Sequence, residues 1–379
     1  MIRIASFNVE NLFARPKAFG TNMSFNEPIV DYFNEVSDLF SKESYSNTDK
    51  EKIIELLVKL DIYYVDNNGI TRRKWSANPK WAWLRKNRGS FDVEREETGI
   101  EIIATGRESW IGWVELALEP TNEKSIRMTA KVIEDTQPNI LGIVEAENRP
   151  SLIRFNEELL NNYFRHVMLV DGNDERGIDV GIMTTHGFPI GTIRSNVDAE
   201  DSDGEIFSRD CPEYQITTPN GNEIYVLVNH FKSQSGGGGS KRKRQAKEVR
   251  KIVNGLVAQN KHVVVIGDLN EGPTSENDFV QNFEELYTNN SPLVDVYSLT
   301  EFNIGPRLGT FDSCGIRNRL DYIFISKSLL PSFLGGKIYR MGLWGKRKTR
   351  PDNWETYQEI SKSEEQASDH ALVYIDLDI

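Results

Sequence analysis

At 379 residues, with 38% hydrophobic and 27% charged side chains, the chain is long enough for one large or two ordinary globular domains, and its composition excludes a disordered or fibrous protein. The net charge of -12 excludes attraction to nucleic acid by the surface as a whole, so such contacts have to come from local basic patches. Two cysteines, Cys211 and Cys314, are too few for a disulfide framework and lack zinc-site spacing, which leaves oxygen and imidazole as the metal donors available. No apolar run approaches the ~20 residues that span a bilayer. The N-terminus reads directly as a strand with no leader-like apolar run, so the expectations are no membrane segment and a cytoplasmic location.

Residues 2–7 alternate into a strand that ends on Asn8 and Glu10, two polar side chains spaced by two. From about 18 to 124 the character changes. A helix is expected over 48–60, and then comes RRKWSANPKWAWLRKNR (72–88), with seven Lys or Arg, three Trp and no acid. Such Trp either offer stacking faces to a nucleic-acid strand or pack the region's own core. Residues 100–104 and 110–118 read as a hairpin around Gly106. Five of the seven Trp lie between Trp75 and Trp113, which marks a compact insertion rather than a linker.

Beyond it, residues 125–134 have helical spacing up to Pro138, and an apolar strand at 140–144 ends on Glu145. A second helix opens at Pro150. RGIDVGIM (176–183) is a strand carrying Arg176 and Asp179, and NEIYVLVNHFKS (222–233) is another, delivering His230 and Lys232 at its end. A Gly-rich loop then leads into KRKR (241–244) at the start of a helix. Lys241 and Arg244 beside a helix N-terminus suit a phosphate, and the alternative is four solvated cations.

The stretch KHVVVIGDLNEGP (261–273) runs a β-branched strand into Asp268 and Asn270, at the end where open α/β sheets place their ligands. The alternative there is an Asx turn. RLDYIFI (319–325) sets Asp321 early in an apolar strand, where a carboxylate needs a partner. The last strand, 371–377, is introduced by Asp369 and His370, and His230 and His370 are two of only five histidines. Polar groups from at least five strand ends, if gathered on one rim, form an oxygen-rich set suited to Mg²⁺ or Mn²⁺ and to phosphoryl chemistry.

In that order, SFNVENLF, QPNILGIVEAEN, VNHFKS, VIGDLNEGP, RLDYIFIS and SDHALV resemble the endonuclease/exonuclease/phosphatase superfamily of DNase I-like, metal-dependent phosphodiesterases. The resemblance covers residues 1–16 and about 125–379. It implies a four-layered α/β sandwich, two packed mixed β-sheets flanked by helices, in a single domain over 1–379 with the Trp-rich basic insertion at about 18–124. It also implies roles. Glu145 is the principal metal ligand, helped by Asn8 or Glu10 and by Asp369. Asp268 orients or deprotonates the attacking water, Asn270 and His230 donate to the phosphate, and His370 binds it with its tautomer held by Asp321. Arg176 and Asp179 border the site, and Lys232, Lys241 and Arg244 are the substrate-facing cations.

Departures from subfamily patterns bear on the substrate. Glu145 is followed by Ala146-Glu147 where AP-endonuclease relatives carry Thr-Lys, and Arg319-Leu320-Asp321 stands where inositol-polyphosphate phosphatases carry Cys-Asp-Arg. The first expectation is a Mg²⁺-dependent nuclease with nucleic acid as substrate. The alternatives are a phosphatase or phosphodiesterase for a small-molecule or lipid phosphate, and a non-catalytic binding protein on the same scaffold. No protein partner is inferable.

Overall fold

Apolar runs that alternate or stay β-branched become the centres of two sheets in the computed structural model, which describes residues 1–10, 12–17, 29–77, 79–174, 177–234, 238–275, 278–288, 290–345 and 354–379. The chain divides into two units, Met1–Phe13 with Thr121–Ile379, and Ala14–Pro120. Among the described residues no helix is long and apolar enough to cross a membrane.

The larger unit is the four-layered α/β sandwich. Its seven-stranded sheet runs in the order Phe164–Val170, Asp179–Thr185, Ile140–Ala146, Ile2–Asn8, Leu372–Leu377, Phe333–Tyr339 and Phe302–Asn303. The six-stranded sheet runs Ile190–Arg194, Glu213–Thr217, Glu223–His230, His262–Asp268, Asp321–Ser326 and Leu293–Asp295. Each has a parallel pair at its centre, Ile2–Asn8 with Ile140–Ala146 in one and Glu223–His230 with His262–Asp268 in the other. The two sheets are therefore both mixed, and in each the parallel strands end on the residues that the sequence marks as polar.

Period-two alternation decides what each strand contributes to which layer. Ile2, Ile4, Ile140 and Val144 pack into one core with Val228, Val264, Ile266 and Ile323 of the facing sheet. Ala5, Phe7, Leu141 and Ile143 pack outward, with Val132, Ile133, Leu152 and Phe155 of the covering helices. Those helices, Glu123–Thr136 and Arg149–Leu159, begin at Asn122 and Asn148, whose side chains accept from the backbone N–H groups of Lys124 and Ser151. Close approach of the sheets is set at Gly142, where a Cβ would lie 2.4 Å from Ile266 Cδ1.

The unit Ala14–Pro120 has its own core of Phe33, Phe40, Leu56, Leu57, Phe91 and Trp110. Its helix Asn47–Lys59 is opened by a reciprocal cap between Ser46 and Asp49. The hairpin expected between residues 100–104 and 110–118 does not form. Gly99–Ile102 instead pairs with Asp92–Arg95 across a short local turn, and Ile111–Leu116 pairs with Ala82–Arg88. The physical reason lies in Trp110, whose fully buried indole meets Phe40 edge-on and Phe91 at a tilt and donates to the Tyr45 hydroxyl, so the strand that follows it is drawn into the unit's core rather than paired with its sequence neighbour. The two readings of the Trp divide by residue: Trp110 is core, whereas Trp75 is 84% exposed.

Candidate active site

Asn8, Asp268 and His230 end three strands whose inward-facing positions are apolar apart from the buried Ser6, and all three are buried. Alternation carries Asn8 into the gap between the sheets, where its amide donates to Asp268 Oδ2 at 3.2 Å. That bond joins the first strand of one sheet to the central strand of the other. Asp268 is further fixed by the Asn270 backbone N–H, which donates to Oδ1 at 2.8 Å.

Glu145 arrives by a different device. Its neighbours Leu141 and Ile143 point to the outer helices, and strict alternation would send Glu145 the same way. A bulge between Val144 and Ala146, with Glu145 at φ 64°, shifts the register, so that Ala146 joins the outer core and Glu145 is turned toward the six-stranded sheet's histidine. Its Oε1 lies 3.7 Å from His230 Nε2. Glu10 and Asn270 also sit at positive φ, 50° and 57°. Such backbone costs of the order of 1–3 kcal/mol each and persists where surrounding contacts impose it.

His370 lies at the entry to the last strand, bonded through Nδ1 to Asp321 Oδ2 at 2.8 Å, while its Nε2 stands 3.8 Å from Asp268 Oδ2 and 3.9 Å from Asp369 Oδ1. The partner that the buried Asp321 required is thus His370. Thr310 is a second one, its hydroxyl donating to the same carboxylate oxygen at 2.6 Å. Glu10 accepts from the Asp369 backbone N–H at 3.1 Å, and the Ser368 hydroxyl donates to the Asn8 carbonyl at 2.7 Å, so the chain's two ends are tied at the site.

The electrostatics follow from this crowding. Burial, with Asp321 and Glu145 nearby, pushes Asp268 up to about 7, against the opposing pull of His370. Burial works against a charged His370, but the Asp321 and Asp268 carboxylates and the bond to Asp321 outweigh it and raise the imidazole well above its ordinary value. Asp179 begins the strand paired with Ile140–Ala146 and accepts from the Gly172 N–H at 2.7 Å; burial nevertheless pushes it up to about 6.

Asn8, Glu10, Glu145, His230, Asp268, Asp321, Asp369 and His370 are thus brought together. Among the described residues, Glu145, His230 and Asp268 form one group close enough to hold a metal ion, and Asp268, Asp321 and His370 form another. Asn270 is adjacent, with its amide donating to the Phe231 carbonyl at 3.1 Å. Arg176 lies outside the described residues. Lys232 and Lys241 are half-buried near the strand end and in the helix's first turn. Arg244 is held by Asp201 and the Gly204 carbonyl of a small hairpin. The reading of KRKR as four solvated cations fails at Arg242. It is buried, donating to Glu271 Oε2 at 2.7 Å and to the Lys232 and Ser233 carbonyls, and so braces the loop that follows Asp268. Thr310 was not found from sequence, because it lies in an irregular segment with no periodicity to mark which side chain it serves.

The endonuclease/exonuclease/phosphatase family model matches residues 102–341, more than half of the chain and a span that includes Glu145, His230, Asp268 and Asp321. No curated protein sequence matches. Among solved structures, the catalytic domain of human nocturnin with a bound sulfate anion is similar in fold, with a TM-score of 0.50 and 16% identity over 69% of this chain and 88% of that one. A mannosyl-6-phosphatase from Bacteroides thetaiotaomicron gives 0.48 and 17% over 68% and 92%. Truncated Caenorhabditis elegans TDP2 gives 0.45 and 16% over 67% and 91%.

Proposed function

Because this chain belongs to the endonuclease/exonuclease/phosphatase family of phosphoric ester hydrolases, we propose that it is a Mg²⁺- or Mn²⁺-dependent phosphodiesterase that cleaves nucleic acid, with Ala14–Pro120 an insertion into the hydrolase. The observation that carries the reading is the line Asp321, His370, Asp268, with successive separations of 2.8 and 3.8 Å.

The donor set fits a hard divalent cation. Glu145, with Asn8, Glu10 and Asp369, offers carboxylate and amide oxygens and no thiolate. Bound there, such a cation supplies neutralisation of charge on the phosphate. The chain's own groups do the rest. Asp268 Oδ2, with a carboxyl tuned near neutrality, takes the proton from the attacking water. His370, charged and with Nδ1 fixed on Asp321, donates from Nε2 to a phosphate oxygen as negative charge builds there. A second such donation falls to His230, whose Nε2 lies 3.7 Å from Glu145 Oε1 and 3.8 Å from Asp268 Oδ2.

The net charge of -12 favours a second reading, a small-molecule or lipid phosphate as substrate. Incubation with single-stranded, double-stranded and abasic oligonucleotides and with generic phosphodiesters, in Mg²⁺, Mn²⁺ or EDTA, separates the two. Cleavage of an oligonucleotide that falls steeply with salt is expected, since phosphate contacts release counterions. Turnover of the generic esters without any oligonucleotide cleavage would transfer the assignment to the second reading.

A further inference from the structure

The stretch 72–88, basic and rich in Trp, is absorbed by neither the fold's main core nor the site at the strand ends. Within the Ala14–Pro120 unit it lines a pocket of about 540 Å³, in the range that accommodates small ligands. The walls include Tyr63, Arg73, Trp75, Trp83, Arg85 and Lys86. Trp83 and Arg85 share a face of the strand Ala82–Arg88 by alternation, with the guanidinium 4.9 Å from the indole centre, and Arg73 lies 5.6 Å from the centre of Trp75. Trp75 is the most exposed large indole of the unit, and hydrophobic burial does not account for its place on the wall of a pocket.

Charge bookkeeping at the rim leaves a cation in surplus. Arg73 and Lys86 both converge on one carboxylate, Asp92, whose side chain is fully buried. Lys74 meets Asp61 at 2.7 Å and Arg85 meets Glu115 at 2.7 Å. The Arg85 pair is 44% and 43% exposed, and such surface pairs contribute little, so a phosphate can displace the carboxylate. Indoles with a guanidinium over one face, as Arg73 over Trp75 and Arg85 over Trp83, form a combination that takes a nucleobase on the open ring face and its phosphate by charge.

We propose that the pocket walled by Trp75, Trp83, Arg73 and Arg85 is a binding site for single-stranded nucleic acid, seating an unpaired base on the indoles with its phosphate on the guanidinium groups. This rests on the nuclease reading for the biological source of the ligand. It goes further in naming unpaired strands as what the insertion selects.

The test uses the full chain in EDTA, so that nothing is cleaved, and an end-labelled oligothymidylate of about twelve nucleotides, within the span of a single-strand module. Fluorescence anisotropy should give an affinity that Trp75→Ala lowers about tenfold, the loss expected of one base–indole stack. Trp83→Phe, which keeps a ring, should lower it less than Trp83→Ala. Trp75 is exposed, so its loss leaves the fold intact, and hydrolysis of bis(p-nitrophenyl) phosphate with Mg²⁺ should be unchanged in Trp75→Ala. Unaltered oligothymidylate affinity in Trp75→Ala, or equal competition by base-free polyphosphate of matching charge, overturns the proposal. Binding that depends on Trp75 together with a complete failure to cleave oligonucleotides would overturn the nuclease reading and leave the pocket standing.

Discussion

Replacing Thr310 by valine removes one hydroxyl from the interior at nearly constant volume. That hydroxyl donates to Asp321 Oδ2 at 2.6 Å and accepts from the backbone N–H groups of Leu320 and Asp321 at 3.1 and 3.2 Å. Thr310 is wholly buried, and no water replaces those partners without opening the structure. The donation is to a charged group and is worth about 1.5–3 kcal/mol, with some further loss for the N–H groups. A destabilisation of about 3 kcal/mol in urea unfolding is therefore expected. Catalysis should suffer beyond that, because Asp321 Oδ1 has no hydrogen-bond partner among the described residues, and Thr310 and His370 are the groups that orient the carboxylate. Once it is free to turn, His370 is aimed less well, and misplacement of about 1 Å costs up to ~100-fold in rate. We expect kcat on bis(p-nitrophenyl) phosphate to fall between about tenfold and a hundredfold with little change in KM, under conditions where the variant is folded. Thr310→Ser, which keeps the oxygen, should recover most of the rate. A Thr310→Val enzyme with the original kcat, or a serine variant as impaired as the valine one, refutes the reasoning.

Glu145→Gln should weaken Mn²⁺ binding, followed by calorimetry, by at least about tenfold, since it removes the charge from the ligand proposed at the bulge; unchanged affinity would remove Glu145 from that proposal. Asp179 carries a stability effect with a definite sign. Its folded carboxyl is raised to about 6 from 3.8, so its contribution is fully present below the lower value and is lost as pH rises through the upper one. Asp179→Asn should therefore gain on the parent between about pH 4 and about pH 8, in EDTA, by about 3 kcal/mol at most, and a gap that narrows over that range contradicts the assignment. Gly267 has φ 135°, and a Cβ there would lie 1.9 Å from the Asn229 carbonyl oxygen. Gly267→Ala should cost about 3 kcal/mol or more and shift the strand carrying Asp268, so a variant with the parent's urea midpoint would count against that packing.

What the sequence made legible was everything that alternation and apolar runs encode. Strands ending on Asn8, His230 and Asp268 could be read because an alternating or β-branched apolar run that stops on polar side chains marks a strand end, although at Asp268 the same pair also forms the Asx turn that was the alternative. The need of Asp321 for a partner was likewise readable from the cost of burying a carboxylate. Glu145 was found as a residue, but the bulge that aims it was not, because a positive φ at a glutamate leaves no mark on periodicity. Pairing in the smaller unit was misjudged for a related reason. Strands Gly99–Ile102 and Ile111–Leu116 are adjacent in sequence, yet the burial of Trp110 between them dictates other partners. Arg242 escaped because one cation in a run of four is indistinguishable by composition from its solvated neighbours, and only the position of Glu271 selects it.

The hydrogen bond from Asn8 to Asp268 spans 260 positions of the chain and crosses from one sheet to the other. Neither sheet alone carries the full set, since Glu145 and the strand that His370 leads into belong to one and His230, Asp268 and Asp321 to the other. Hydrolytic power is therefore a property of the closed sandwich. During refolding it should emerge last, after ellipticity has returned, so a half-assembled chain passes through its most aggregation-prone stage without hydrolytic activity.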